Sequence, residues 1–237
     1  MSNPSWFKNL FIDEAKAVLS CNSGGSGSGI MPTEPYVEYT MDVDGNIIGV
    51  ALFGFIEIPS HMFAVYMDYD VMPTLKNVDF SGSPNLTSIG DFAFFNCTNL
   101  ALTSLPEGLT SIGSDAFSGC TSLALTSLPE SLTSISSSAF NGCTGLINME
   151  IEAATLGTGT KIFNRCTGLQ NIWIRNTCDT ITATKASNAP FTGCSTTLTI
   201  YAEDSTKQSG WGTYFNRTGP SGATTVTVIY NQTTCPW

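Results

Sequence analysis

Residues 97–120 read CTNLALTSLPEGLTSIGSDAFSGC, and residues 121–143 follow as TSLALTSLPESLTSISSSAFNGC. The second passage repeats the first at every apolar offset. Leu100, Leu105, Pro106, Leu109, Ile112, Ala116 and Phe117 return as Leu123, Leu128, Pro129, Leu132, Ile135, Ala139 and Phe140. Working outward, Cys97, Cys120, Cys143 and Cys166 are spaced by 23, and Phe94, Phe117, Phe140 and Phe163 keep that interval three residues ahead of them. Phe191 and Cys194 follow after 28. A fixed period of this length is the mark of a repeat architecture.

One such cycle cannot stand alone. Burying five or six large side chains contributes about 1.5 to 3 kcal/mol each, while ordering 23 backbones costs about 1 to 2 kcal/mol apiece. Stacking successive coils about 4.8 Å apart through parallel strand hydrogen bonds buries each repeat between its neighbours. Leu-x-x-Ile spacing with Thr and Ser between suits a short strand, Pro106 and Pro129 mark bends, and the Ala-Phe step suits a tight turn that carries a ring inward. The expected repeat core is therefore Phe94, Cys97, Phe117, Cys120, Phe140, Cys143, Phe163, Cys166, Phe191 and Cys194.

The pattern Cys-x-x-Leu, Leu-Pro, Leu-Thr-Ser-Ile, Ala-Phe, x-x-Cys resembles the BspA-like leucine-rich repeat, the Treponema pallidum type, over about residues 82 to 200, with a weaker echo at Ile58, Pro59, Met62 and Phe63. The resemblance implies a mainly β solenoid of about five coils that serves binding on bacterial surfaces and in phage-related proteins, with no catalytic residues to transfer. The chain departs from the pattern at Thr126, where an aliphatic is usual, at Thr155 and Thr158, at Arg175, where proline is expected, and in the five extra residues before Phe191. Those coils are expected to be looser.

Composition agrees. Of 237 residues, 42% are hydrophobic and 12% charged, which excludes a disordered chain or a coiled coil. A net charge of −10 argues against phosphate-backbone binding, so nucleic acid is not an expected partner. The charge is uneven: from residue 17 to 160 the only cation is Lys76, against fourteen acids between Glu34 and Glu152. From 161 onward six cations face three acids. Solvated surface and oriented, head-to-tail docking both account for this polarity.

The flanks read differently. Residues 1–20 hold a short amphipathic helix with Trp6, Phe7, Leu10, Phe11 and Val18 as its docking residues, joined by a Gly/Ser linker at 21–31. Docking into a larger assembly or homo-oligomer, or folding back on the protein's own surface, would cover that apolar face. Residues 32–81 give a β N-cap and degenerate first coil, with a hairpin turn at Asp44-Gly45. Residues 201–237 form a C-terminal cap, with Trp211, Tyr214 and Phe215 and a strand through Val226, Val228 and Tyr230. Val18 to Cys21 resembles a lipoprotein cleavage site, but Asp13, Glu14 and Lys16 interrupt the apolar stretch that a signal peptide needs. No run reaches the length of a membrane span.

Chemistry is sparse. The four regularly spaced thiols would form a ladder about 14 Å long, too spread for a zinc site, and read with Cys178 as inert core. Cys21 and Cys235 are the remaining pair. His61 is the only histidine and reads as a cap residue, and Asp42, Asp44 and Asn46 make half a calcium loop that is better read as a turn. Thr87, Thr110 and Thr133 form a hydroxyl ladder, as ice-binding faces do, although threonine also simply suits an exposed strand. No cofactor, metal or enzymatic activity is expected. The reading is a structural and recognition protein, virion-borne with the bacterial cell surface as the alternative, whose solenoid takes a protein or surface glycan ligand.

Overall fold

The structure, a computed structural model, describes residues 35–66, 69–70, 74–152, 159–175, 190–191, 193–194, 197–202, 225–229 and 234–237. The N-terminal helix with Trp6, Phe7, Leu10, Phe11 and Val18, the linker, Cys21, Cys178, Thr155, Thr158, Trp211, Tyr214, Phe215 and Tyr230 lie outside the described residues.

Thirteen strands and no helix make up the described chain: β1 (Tyr36–Met41), β2 (Ile47–Phe53), β3 (Glu57–Ile58), β4 (Val65–Tyr66), β5 (Tyr69–Asp70), β6 (Asn77–Asp79), β7 (Ser88–Ile89), β8 (Ser111–Ile112), β9 (Ser134–Ile135), β10 (Asn148–Glu152), β11 (Asn171–Arg175), β12 (Thr197–Ala202) and β13 (Thr225–Ile229). They wind a solenoid with two strand-bearing faces. The short face is the parallel sheet β3-β7-β8-β9, in which Ile58, Ile89, Ile112 and Ile135 stand in register. The long face carries β1-β2-β6 at one end and the parallel sheet β10-β11-β12-β13 at the other. Segments 101–105 and 124–128 lie between them, tied in by Ala101 N to Lys76 O at 2.9 Å, Ala124 N to Leu102 O at 3.0 Å and Glu150 N to Thr126 O at 2.9 Å.

The turn side holds the coils together. Phe63, Phe94, Phe117, Phe140, Phe163 and Phe191 form one stack with ring centroids 5.1, 5.1, 5.4, 5.3 and 5.7 Å apart. Phe63 heads this stack, so the weak echo around Ile58 is a structural coil. The widest step, 5.7 Å, is the one that spans the five extra residues. Beside the rings runs a ladder of thiols, each donating to the carbonyl of the phenylalanine one coil back: Cys97 to Phe63 and Cys120 to Phe94 at 3.1 Å, then Cys143 to Phe117, Cys166 to Phe140 and Cys194 to Phe163 at 3.0 Å. Small size, tolerance of burial and a weak donor suit cysteine to this place. Burial pushes the Cys97 and Cys194 thiols up to about 12 and the three between them well above their ordinary value.

The tight turns use left-handed backbone at a fixed column, Asn96, Gly119, Gly142, Arg165 and Gly193, with φ between 58° and 79°. Gly119 suits this place because its φ of 79° is one that L side chains rarely adopt, and a Cβ there would also push the Asn96 side-chain oxygen of the neighbouring coil aside.

At Thr126 the core is not loosened, contrary to expectation. Leu102 and Leu125, one residue earlier, turn inward at 5% and 1% exposure, and Thr103 and Thr126 are exposed. Two residues then face outward before Leu105 and Leu128, where β10 places only Glu150 between buried Met149 and Ile151. Each of these segments is a bulge of one residue, which bends the strand and disrupts its ladder.

At the first end, β1 and β2 pair antiparallel around a turn in which Asp42 Oδ1 accepts Asp44 N at 3.0 Å and Asn46 N at 2.9 Å. The bonds donated by the Asn46 side chain, with those from the Asn46 and Asp44 backbone, hold the Asp42 carboxyl below its ordinary range. Asp42 is therefore occupied in closing the turn. β2 joins the solenoid by parallel pairing with β6.

Phe117→Ala is expected to cost about 3 to 5 kcal/mol in urea denaturation, because it opens a cavity between two stacked coils. At about pH 8 the protonated, buried thiols of Cys97, Cys120, Cys143, Cys166 and Cys194 should resist a thiol-labelling reagent until the chain unfolds, and reductant or chelator should leave Tm unchanged. Rapid native-state labelling of the ladder, or a Tm drop with either reagent, contradicts this.

Candidate functional site

The repeat-core residues are buried scaffold: Phe94, Cys97, Phe117, Cys120, Phe140, Cys143, Phe163 and Cys166 are 0% exposed, Phe191 6% and Cys194 7%. They position a ligand face and cannot themselves touch a ligand. His61 stacks on Phe92 with centroids 5.0 Å apart, at the edge of the turn column. Cys235 is a free, half-buried thiol. Among the described residues no three His, Cys, Asp or Glu side chains converge as a metal site. The Thr87, Thr110 and Thr133 hydroxyls donate to the carbonyls of Ile56, Thr87 and Thr110, so this ladder is spent on holding coil to coil.

What the solenoid displays is the outward row of the long face. Register aligns Ser127 with Glu150, then Trp173, Tyr201 and Ile229, and the 23-residue period adds Ser104. The row is anchored on Arg175, which reaches across coils: Nη1 lies 2.7 Å from Glu130 Oε1 and 2.8 Å from Glu150 Oε1, and Nε lies 3.6 Å from Glu152 Oε1. The bonds it donates to the Glu130 and Glu150 carboxylates push the guanidinium pKa further up. The same guanidinium stands 5.8 Å from the Trp173 ring, a cation-π contact. Trp173 is 7% exposed, and its Nε1 meets no hydrogen-bond partner among the described residues. Tyr201 continues the row, with Trp237 edge-on at 5.8 Å.

Sequence reasoning saw Arg175 only as a missing proline. Its partners stand 45 and 25 residues earlier, Glu130 in a Leu-Pro-Glu step and Glu150 in the following coil. Only coil stacking brings them together, so no local pattern along the chain signals the contact.

A family model described as "BspA type Leucine rich repeat region" matches residues 69–198 in six copies, just over half of the chain. No curated protein matches the sequence. Among solved structures, the T. pallidum leucine-rich repeat protein is similar at 19% identity, covering 73% of this chain and 86% of its own, with a TM-score of 0.41. A leucine-rich repeat protein from Bacteroides ovatus shares 22% identity over 65% of this chain and 47% of its own, at a TM-score of 0.38. A leucine rich cell surface protein from Faecalibacterium prausnitzii shares 18% identity over 88% of this chain and 56% of its own, at 0.49. The chain thus spans about half the length of the last two.

Arg175→Gln removes the shared cation from Glu130, Glu150 and Glu152. It is expected to lower stability by about 1 kcal/mol, and the loss should shrink when salt screens the carboxylates. A variant as stable as the parent at low ionic strength would show that the network contributes nothing.

Proposed function

The chain belongs to the BspA type leucine-rich repeat family, and on that premise we propose that it is a non-enzymatic recognition protein whose long face binds a ligand on a biological surface. The observation that carries this reading is the outward row from Ser127 to Tyr201, in which rigid parallel ladders hold Ser127, Glu150 and Tyr201 at fixed spacing around a buried Trp173 and Arg175 ties three coils together. Rigid presentation lowers the ordering cost of binding. The residues within reach of one another, hydroxyls, carboxylates, one guanidinium and aromatic rings, suit contact with a protein or a glycan.

The solenoid is displayed by a larger assembly, with the segment bearing Trp6, Phe7, Leu10, Phe11 and Val18 as its attachment. A helix of about 16 residues is marginal in water and needs a partner surface for its apolar side. The assembly is a phage particle in the first instance and the bacterial cell surface in the second. Mass spectrometry of purified virions and of peptides shaved from intact cells separates the two, and absence from both overturns display.

The face itself is tested by charge. The double change Thr126→Arg and Ser127→Arg, on exposed positions of the long face, should weaken binding to the target particle or cell by about tenfold or more while leaving Tm in place. Thr110→Arg on the short face should leave binding unchanged. Deleting residues 1–29 should leave a folded solenoid that no longer co-sediments with its assembly. Equal binding by both arginine variants would dismiss the long face as the recognition surface.

A further inference from the structure

The long face parts at one junction. β6 ends its sheet, and although Ala101 N reaches Lys76 O at 2.9 Å, the two segments then separate. Asn77–Ser81 on one side and Ala101–Pro106 on the other line an open crevice of about 420 Å³. A one-residue mismatch stands at this junction: β6 is regular, with Val78 inward and Asp79 outward, whereas the next coil puts both Thr103 and Ser104 outside between buried Leu102 and Leu105. The same mismatch recurs where the second bulge meets β10. There it is closed, by Glu150 N to Thr126 O at 2.9 Å and Leu128 N to Glu150 O at 3.1 Å. The bulge alone does not open a crevice.

The lining sets outward hydroxyls beside open space, whereas the equivalent Thr126 and Ser127 at the sealed junction are exposed without a crevice beside them. Thr87, Thr110, Thr121 and Thr133 donate to carbonyls of the preceding coil. Thr103 and Ser104 are exposed and engage no protein group among the described residues. The one charged side chain, Asp79, already accepts Ser81 N at 2.8 Å. Phe80, half-buried, supplies an aromatic wall. The volume lies within the range of small-ligand sites, while β6, three residues long, is too short to template an added peptide strand.

Free hydroxyls that both donate and accept, an unpaired strand edge, one carboxylate and an aromatic face match the rim and the C–H face of a pyranose ring. The fourteen acids between Glu34 and Glu152, opposed only by Lys76, repel sulfated, sialylated and uronic sugars. We propose that this crevice binds a neutral pyranose unit of a surface glycan. The proposal rests on the long face being the recognition surface, and it names the ligand class that one part of that face takes.

The test titrates the full-length, ¹⁵N-labelled protein with the methyl glycosides of glucose, galactose, mannose and N-acetylglucosamine, with 3′-sialyllactose and a heparin disaccharide as acidic probes and a Thr-Lys repeat decapeptide as the peptide probe. The expected result is a millimolar response to at least one neutral glycoside, confined to amides of residues 77–81 and 101–105. Thr103→Trp, which fills the crevice, should weaken it at least tenfold, and Ser104→Ala about threefold. No shift with any neutral glycoside, a response to the acidic sugars or the peptide alone, or shifts elsewhere on the surface overturns the proposal. If target binding survives Thr103→Trp but not the paired arginine changes at Thr126 and Ser127, the crevice assignment fails and the recognition face stands. If it survives both, the face fails as well.

Discussion

Everything in this molecule depends on one phenylalanine ring resting on the next. Each of Phe94, Phe117, Phe140 and Phe163 is fully buried between the rings of its two neighbours, so no coil owns a complete core. The thiol ladder fixes the same register by a second means, since each sulfur donates one coil back to the carbonyl of the stacked phenylalanine. Ring and sulfur together lock every coil at one height relative to the last. With the turn side pinned, the strand side can depart from regularity without unwinding the stack.

That division explains which parts of the sequence were readable. The 23-residue interval of Phe and Cys translated directly into the stack, because a ladder demands the same residue at the same place in every coil. The hairpin at Asp44-Gly45 was legible for a local reason, its turn chemistry being complete within five residues. The bulges were not. A pattern counts positions, so Thr126 registered as an aliphatic residue lost, whereas the chain keeps its aliphatic contact by sliding Leu125 inward, as Leu102 does one coil earlier. Backbone geometry, not composition, decides between a defect and a shift of one.

The candidate site was least legible, and the reason is distance along the chain. Arg175 meets Glu130 and Glu150 only because the ladder stacks coils that lie about two repeats and one repeat apart in sequence. The role of cysteine as a hydrogen-bond donor was equally hidden, since its partner carbonyl belongs to another coil. Sequence reasoning excluded a zinc site by the spread of the thiols, and the structure supplies a positive reason for their presence: a small, buried donor is needed at each rung.

A regular ladder also constrains where binding can arise. Where coils match, backbone groups satisfy one another and threonine hydroxyls are consumed by the carbonyls behind them, which leaves little to offer a ligand. Mismatches add to this the room that a ligand needs. The junction of β6 with the first bulged coil is such a place, and the junction of the second bulged coil with β10 shows that the same mismatch can be sealed. The bulge supplies the outward hydroxyls and the failure to seal supplies the space. Because the phenylalanine stack beneath is unbroken at both junctions, opening the surface at one of them leaves the core intact. A solenoid of this kind can vary its binding surface by moving one residue in one strand, while the sequence of its core stays the same.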